Sequence, residues 1–253
     1  MPRRDWSREE LIVAFNLYCK IPFGRIHIRN PQVIQVANAI GRTPSAVSWK
    51  LANFARLDPS LKKRHVAGAT HGAQGEIEIW NEFNENWEKL AFESERLFRE
   101  LEGDTAIIGE EPEVFPEGRT RDAVVRARVN QDFFRAAVLA AYGSRCCLTG
   151  LSIPELLNAS HIVPWSVDVQ NRTNPRNGLC LNALHDRAFD CGLITVTTNL
   201  KVRVSPKARG VLADRVSDEC LWRFEGVAIT APRRFAPSVD FLRYHNENVF
   251  IRE

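Results

Sequence analysis

The stretch NASHIVPWSVDVQNRTNPRNGLCLNALHDRAFDCGLI, from Asn158 to Ile194, contains two of the chain's six histidines, one on each side of a polar turn. ASHIVPW predicts a short strand that ends in a loop, and GLCLN predicts a second strand. ALHDRAFD follows directly and predicts a helix packed on both strands. These three elements bring His161, Asn177 and His185 near one another.

The three side chains together suit one kind of chemistry. Hydrolysis of a phosphodiester bond needs a base that takes a proton from water, a cation that neutralises the developing charge, and a group that holds the base in place. A lone histidine is most often a hydrogen-bonded structural residue. Two histidines and an asparagine together, however, can supply all three of these functions.

The sequence segments around these residues resemble those of a known family. RCCLTG, ASHIVPW, NPRNGLCLNALH and FDCGLI are similar to the HNH endonucleases, in the subgroup found in bacterial restriction and defence nucleases. The similarity covers roughly residues 126–200 and is looser in FLRYHNENVF. The resemblance implies a ββα-metal fold, a double-stranded DNA substrate and a divalent metal ion, Mg²⁺ or Mn²⁺.

The resemblance also implies the roles of single residues. His161 corresponds to the general base, Asn177 to the asparagine that orients the loop bearing the base, and His185 to a metal ligand on the helix. Asp190 is either a second ligand or an acid that caps the helix end. Ser160 stands where many relatives carry an acidic metal ligand, which leaves the ligand set open.

Some relatives hold a structural zinc ion with two C-x-x-C pairs. Here Cys147 is followed three positions later by Gly150, and Asn182 and His185 occupy the segment where a second pair would lie. We therefore expect no structural zinc. The remaining cysteines are expected to be core thiols.

The first hundred residues predict helices. SREELIVAFNLYCKI begins with Ser7 and Glu10 as a capping box, PQVIQVANAIG ends at Gly41, and RTPSAVSWKLANFARLDP begins with Thr43 and Pro44. Helix, glycine turn and helix form a helix-turn-helix-like pattern, although a solvated helical hairpin fits the same pattern.

In a helix-turn-helix, the outer face of the second helix contacts DNA. The polar side chains expected on or near that face are Arg42, Ser45, Ser48, Lys50 and Asn53. In the second half, Arg172 and Arg176 lie in the polar turn and are candidates to bind phosphate as guanidinium forks.

A long amphipathic helix is predicted from Glu76 to about Glu102. Its apolar stripe is either the core of the first domain or, as a sharper alternative, the seam of a dimer. The residues of the proposed seam are Trp80, Phe83, Trp87 and Leu90.

GDTAIIGEEPEVFPEGRTRD gathers glycine, proline and acid and predicts a linker. The domains expected are a helical DNA-binding domain at 1–102, the linker at 103–120 and the nuclease domain at 121–253. Within the last, LITVTTNLKVRVS predicts a hairpin that extends the sheet, and His245 is expected at the surface of a closing helix.

Composition excludes few partners. The net charge of +3 is too small to establish a polyanion as the partner, although SLKKRH and APRRF are local basic runs. MPRRDWSREE lacks the apolar segment of a signal peptide, and no apolar run is long enough to cross a bilayer. We expect a cytoplasmic protein whose six cysteines are reduced.

The fold class predicted is therefore α+β, with a helical, helix-turn-helix-like domain followed by a ββα-metal nuclease domain. The function predicted is a metal-dependent endonuclease of the restriction type, and analogy with relatives makes modified bases a candidate target. A homing or mobile-element endonuclease is one alternative. A DNA-binding regulator with a degenerate nuclease half is another, because of Ser160. A homodimer is expected if both strands are cut.

Overall fold

The computed structural model describes residues 4–62, 74–103, 121–209 and 215–252. The chain packs as two units, Met1–Ala137 and Val138–Glu253, and the division falls inside one helix. Most of the predicted linker, residues 104–120, lies outside the described residues. The domain limits 1–102, 103–120 and 121–253 therefore stay predictions.

The described part of unit 1 is helical. Its helices are α1 (Arg8–Lys20), α2 (Pro31–Ala39), α3 (Pro44–Leu57), α4 (Pro59–Lys62), α5 (Gln74–Phe83), α6 (Trp87–Glu102) and the first part of α7 (Arg121–Ala141).

Helix starts in unit 1 follow the predicted caps. The Ser7 backbone N–H donates to Glu10 Oε2 at 3.0 Å, and the Glu10 N–H donates to Ser7 Oγ at 3.3 Å, which completes the capping box of α1. Thr43 Oγ1 accepts the N–H of Ala46 at 3.2 Å at the start of α3. Gly41 turns the chain between α2 and α3 with φ at 64°, a conformation that favours glycine.

Aromatic rings fill the centre of unit 1. The Phe15 ring centroid lies 4.9 Å from that of Phe54, 5.4 Å from that of Trp80 and 6.4 Å from that of Trp87. Such separations suit tilted ring pairs that bury large apolar areas.

The proposed dimer seam is part of this core, so that prediction is wrong. Trp80 is 8% exposed, Trp87 is 3% exposed, and Phe83 and Leu90 are fully buried within the chain. The predicted single helix is also wrong, because it divides into α5 and α6 at Asn84–Asn86. The break lets both apolar faces pack on the same core, and α1 contacts both helices.

A buried ion pair joins α3 to α5. Lys50 Nζ lies 2.6 Å from Glu76 Oε1, and Asn53 Nδ2 donates to the same oxygen at 2.8 Å. Lys50 is 8% exposed and Glu76 is fully buried. The prediction that Lys50 lies on the outer face of α3 is therefore wrong.

Lys50→Ala is expected to destabilise unit 1 by about 3–5 kcal/mol, because it leaves the Glu76 carboxylate buried without its cation. Urea unfolding followed by tryptophan fluorescence measures this loss. The double variant Lys50→Met, Glu76→Leu serves as the matched control and should recover most of the stability. An unchanged unfolding midpoint for Lys50→Ala would show that the pair contributes nothing.

Unit 2 is built on a two-stranded hairpin and a helix. Strands β1 (Leu157–His161) and β2 (Gly178–Asn182) are antiparallel, with His161 opposite Gly178. Helix α8 (Ala183–Asp190) follows β2 directly and contacts both strands. The two strands and the helix lie where the sequence predicts them.

The rest of unit 2 surrounds this ββα element. It comprises the end of α7, strands β3 (Ile194–Val196) and β4 (Val202–Val204), α9 (Arg215–Cys220) and α10 (Val239–Asn248). β3 and β4 form the predicted hairpin, but as a separate sheet, so the prediction that they extend the first sheet is wrong.

His245 of α10 is buried, contrary to the expected surface position. It is 1% exposed, its Nδ1 lies 2.8 Å from Thr195 Oγ1, and its ring stacks on Phe189 at 3.7 Å between centroids. Burial lowers the pKa of His245 to about 4. The imidazole is therefore neutral in the folded protein at neutral pH.

The depressed pKa of His245 predicts acid sensitivity. The unfolded chain takes up a proton near pH 6.5 that the folded chain takes up only near pH 4, so stability falls as pH falls through this window. Urea unfolding should show a loss of roughly 2 kcal/mol from this group between pH 7.5 and 5. His245→Gln should reduce that loss, whereas His27→Gln, at an exposed histidine, should leave it unchanged. Equal pH dependence of wild type and His245→Gln would contradict the assignment.

All six cysteines are free thiols, and Cys19, Cys146, Cys147 and Cys180 are buried. Among the described residues, no helix is both long enough and apolar enough to cross a membrane.

Candidate active site

His161 is the last residue of β1, and its ring is anchored by the loop that follows. Nε2 lies 2.9 Å from the carbonyl oxygen of Arg172. Since a carbonyl only accepts, Nε2 donates a proton to it, and Nδ1 carries the lone pair of the neutral ring. The Trp165 ring packs edge-on against the imidazole, at 5.5 Å between centroids.

The surroundings of His161 favour the neutral ring. Burial lowers its pKa, and the positive charge of Arg172 acts in the same direction. The hydrogen bond to the Arg172 carbonyl and the charge of Asp186 oppose this, but the pKa stays below the ordinary value. A neutral imidazole with a fixed N–H is the form that a general base requires.

Asn177 fastens the loop that carries His161. Its Oδ1 accepts the N–H of Val163 at 2.8 Å, and its Nδ2 donates to the carbonyl of Val163 at 3.1 Å and to that of Asn171 at 3.3 Å. The side chain is 1% exposed. The contacts of Asn177 therefore fix the backbone just beyond the histidine, which is the placement expected of a residue that orients the base.

Two polar residues of β1 bind one carboxylate of α8. Asn158 Nδ2 donates to Asp186 Oδ2 at 2.6 Å, and the Ser160 hydroxyl donates to Asp186 Oδ1. Asn158 and Ser160 are two residues apart, so their side chains leave the same face of the strand. Asp186 is half-buried there, and its partner Ser160 directly precedes His161 in β1.

His185 points away from this face and is 3% exposed. Its Nδ1 lies 2.9 Å from Asn182 Oδ1, and its Nε2 lies 2.8 Å from the carbonyl oxygen of Cys220. The edge of the ring meets Phe224 at 5.1 Å. Both ring nitrogens therefore contact protein oxygens on the far side of α8.

Cys146 lies beside His185. Burial raises the pKa of the Cys146 thiol, but hydrogen bonds with His185, with Thr149 and with the backbone of Thr149 and Leu148 outweigh burial and bring the pKa to about 6. The thiol is buried, as expected of a core thiol, and it also meets the polar side chain of His185.

Asp190 ends α8 one turn after Asp186 and is largely exposed. Partial burial and the neighbouring charge of Asp186 raise the pKa of Asp190. Residues four apart share a helix face, so Asp190 lies on the side of α8 that carries Asp186.

The predicted phosphate-binding arginines of unit 2 differ in their contacts. Arg172 Nε donates to the carbonyl of Trp165 at 2.8 Å, and its guanidinium lies over the Trp165 ring. Arg176 donates its backbone N–H to Asn174 Oδ1. Its half-buried side chain has no hydrogen bond or ion pair with another described residue.

Most of the residues of unit 1 that were predicted to contact DNA instead bind other groups of the same unit. Arg42 donates to Glu10 Oε2 at 2.7 Å and to the carbonyl of Asp5 at 2.6 Å, and Lys50 and Asn53 bind Glu76. Ser48 Oγ is buried without a partner among the described residues. Of the five, only Ser45 is fully exposed.

The structure thus brings Ser160, His161 and the backbone fastened by Asn177 together, and it places His185 elsewhere. Sequence reasoning missed Asp186 and Asn158. The alternation of Asn158 and Ser160 along one strand face was a signal for a polar partner, but which residue of α8 meets that face depends on how the helix is rotated. No three His, Cys, Asp or Glu side chains of the described residues converge to hold a metal ion.

Comparison with known families assigns the segment that carries this geometry. Residues 146–197 match the sequence model of the HNH endonuclease family. This segment is similar to the HNH endonucleases. The HNH segment contains β1, β2, α8 and β3, and with them His161, Asn177 and His185. A search of curated proteins found no match to the chain.

His161→Ala should lower the rate of DNA cleavage at least a hundredfold, which is about what loss of a general base costs, and should leave DNA affinity nearly unchanged. Single-turnover cleavage and gel-shift titration measure the two quantities. His27→Ala, at an exposed histidine in unit 1, is the control and should cut normally. Near-wild-type cleavage by His161→Ala would remove this residue from the chemistry.

Proposed function

We propose that the protein is a metal-dependent endonuclease that hydrolyses phosphodiester bonds in duplex DNA. The observation that carries this proposal is the placement of His161 within the HNH segment. Its ring is fixed by the Arg172 carbonyl, its pKa is lowered by burial, and it directly follows Ser160, whose hydroxyl binds the Asp186 carboxylate.

The chemistry proposed for the chain's own residues is limited to proton transfer and positioning. Nδ1 of neutral His161 takes a proton from the attacking water as the new P–O bond forms, and the scissile P–O bond breaks to release the leaving oxygen, which takes up a proton from solvent. Asn177 holds the loop so that the imidazole keeps its orientation, and Asp186 contributes negative charge that favours the imidazolium formed after transfer.

A divalent ion would stabilise the charge on the phosphate and on the leaving oxygen. The ligand set expected from the resemblance, His185 with Asp190 and Ser160, does not fit as one group. Both ring nitrogens of His185 face oxygens that only accept hydrogen bonds, Nε2 the Cys220 carbonyl and Nδ1 Asn182 Oδ1. In this position His185 has no nitrogen directed at an ion.

DNA contacts are proposed for both units. In unit 2, the side chain of Arg176 suits a phosphate, whereas Arg172 holds the loop around His161 and Trp165. In unit 1, the exposed surface of α3 offers Ser45 and Trp49, of which Trp49 is 64% exposed. Arg42, Ser48, Lys50 and Asn53 would reach DNA only by leaving their present positions.

The biological role proposed is that of a restriction-type enzyme, with modified bases as a candidate signal. A regulator with a degenerate nuclease half is the second candidate, since Ser160 lacks the acid of many relatives. The contact of Ser160 with Asp186 favours the enzyme, because a carboxylate is present at that point although β1 does not supply it.

A homodimer is proposed for double-strand cleavage, because one site of this kind handles one scissile phosphate at a time and duplex DNA has two-fold symmetry. The aromatic stripe of α5 and α6 does not supply its interface, since those side chains lie in the core of unit 1.

A supercoiled-plasmid assay tests the proposed activity. Cleavage is expected with Mg²⁺ or Mn²⁺ and should stop when EDTA is added, because the charge on the phosphate is then not neutralised. Plasmids with unmodified, methylated and hydroxymethylated cytosine should separate a modification-directed enzyme from one without that requirement. If none of these plasmids is cut with either metal while DNA is still bound, the regulator is the correct function.

A further inference from the structure

Two pairs of residues with the same spacing meet beside α8. Cys146 and Thr149 form one pair in the turn before β1, and Asn182 and His185 form the other at the start of α8. The first pair begins one residue before Cys147 and ends one residue before Gly150. In both pairs the side chains are three residues apart, which is the spacing of the C-x-x-C pairs that hold zinc in some relatives.

Hydrogen bonds join the four side chains. Asn182 Oδ1 lies 2.9 Å from His185 Nδ1, and Asn182 Nδ2 lies 3.4 Å from Thr149 Oγ1. The Cys146 thiol lies within hydrogen-bonding reach of His185 and Thr149, which lower its pKa. These four residues, called here the polar clasp, tie the start of α8 to the turn at 146–149. Its four side chains include only one thiol and one imidazole, whereas a structural zinc site takes four thiolate or imidazole ligands.

The clasp fixes the rotation of α8 about its axis. His185 faces the clasp and the Cys220 carbonyl, so the next residue, turned by about 100°, faces elsewhere. That residue is Asp186, which faces Asn158 and Ser160 of β1. A carboxylate has about four lone-pair sites, and these two contacts use two of them. Because Asp186 is only half-buried, its remaining sites are open to a ligand.

We propose that Asp186, and not His185, is the residue of α8 that binds the divalent cation, and that His185 is a structural member of the polar clasp. This inference rests on the proposed nuclease function. Carboxylate oxygens are the ligands that Mg²⁺ and Mn²⁺ prefer, and Mg²⁺ is commonly held by one or two carboxylates together with substrate phosphate.

The position of Ser160 then has a physical reason. A second carboxylate at this point on β1 would face Asp186 and repel it, whereas the hydroxyl donates a hydrogen bond to it. Asp186 of α8 thus takes the place of the acid that β1 lacks, and the Ser160 hydroxyl orients its carboxylate.

The experiment measures binding of Mn²⁺ by electron paramagnetic resonance, with full-length protein in the His161→Ala background bound to an uncut DNA duplex. Adding Asp186→Asn should weaken Mn²⁺ binding at least ~10-fold and leave the melting temperature within a few degrees. Adding His185→Gln should lower the melting temperature and keep the Mn²⁺ affinity within about twofold, measured where the protein is folded. Cys146→Ser should behave like His185→Gln and replaces it if that variant does not fold.

The outcomes separate this inference from the proposed function. Weaker Mn²⁺ binding by His185→Gln at unchanged stability, or unchanged binding by Asp186→Asn, would overturn the inference while the nuclease function stands. If the parent complex has no saturable Mn²⁺ site, the inference fails together with the metal requirement. Cleavage by the wild-type protein with Mg²⁺, measured in parallel, shows independently whether the nuclease function holds.

Discussion

The contacts of the buried His185 ring fix the rotation of α8 about its axis, and the position of Asp186 depends on that rotation. Asn182 and the Cys220 carbonyl contact its two nitrogens, and Cys146 lies against it, so α8 has one rotation that satisfies these groups. A buried imidazole that lost these partners would carry the full cost of unpaired polar atoms. With this rotation, Asp186 lies against β1, and Ser160 and Asn158 have a partner.

The His161 side of the site depends on the loop between the two strands. That loop leaves β1 at His161 and returns at β2, and Asn177 fastens its start by binding both backbone groups of Val163. In the same loop, the Arg172 side chain donates a hydrogen bond to the carbonyl of Trp165. The backbone carbonyl of Arg172 accepts the N–H of His161 and so fixes the tautomer of the ring. The base and the carboxylate are therefore held by different elements, the loop and the helix, which meet at the end of one strand.

Local patterns in the sequence predicted the secondary structure well. The capping box at Ser7, the start of α3 at Thr43, both strands of the hairpin and α8 lie where their residues indicate. These features depend on neighbours within a few residues. Such neighbours are visible in the sequence itself.

Features that depend on distant partners were not predictable in this way. Lys50 looks like a surface lysine until Glu76, from another helix, is placed against it. The stripe from Trp80 to Leu90 is more typical of a core but also fits a seam, and the packing of α1 on α5 and α6 decides for the core. Likewise, adjacent residues of α8 are both polar, and the fold decides that His185 is enclosed and Asp186 faces the strand.

The central claim is that α8 presents Asp186, with His161 nearby, to the substrate and its cation. Anomalous diffraction from crystals of the His161→Ala protein with duplex DNA and Mn²⁺ tests it most directly. The account predicts one Mn²⁺ peak, bound to the Asp186 carboxylate and a DNA phosphate oxygen on the side of α8 that faces Ser160. A peak bound to the His185 imidazole, with the polar clasp opened, would contradict the account.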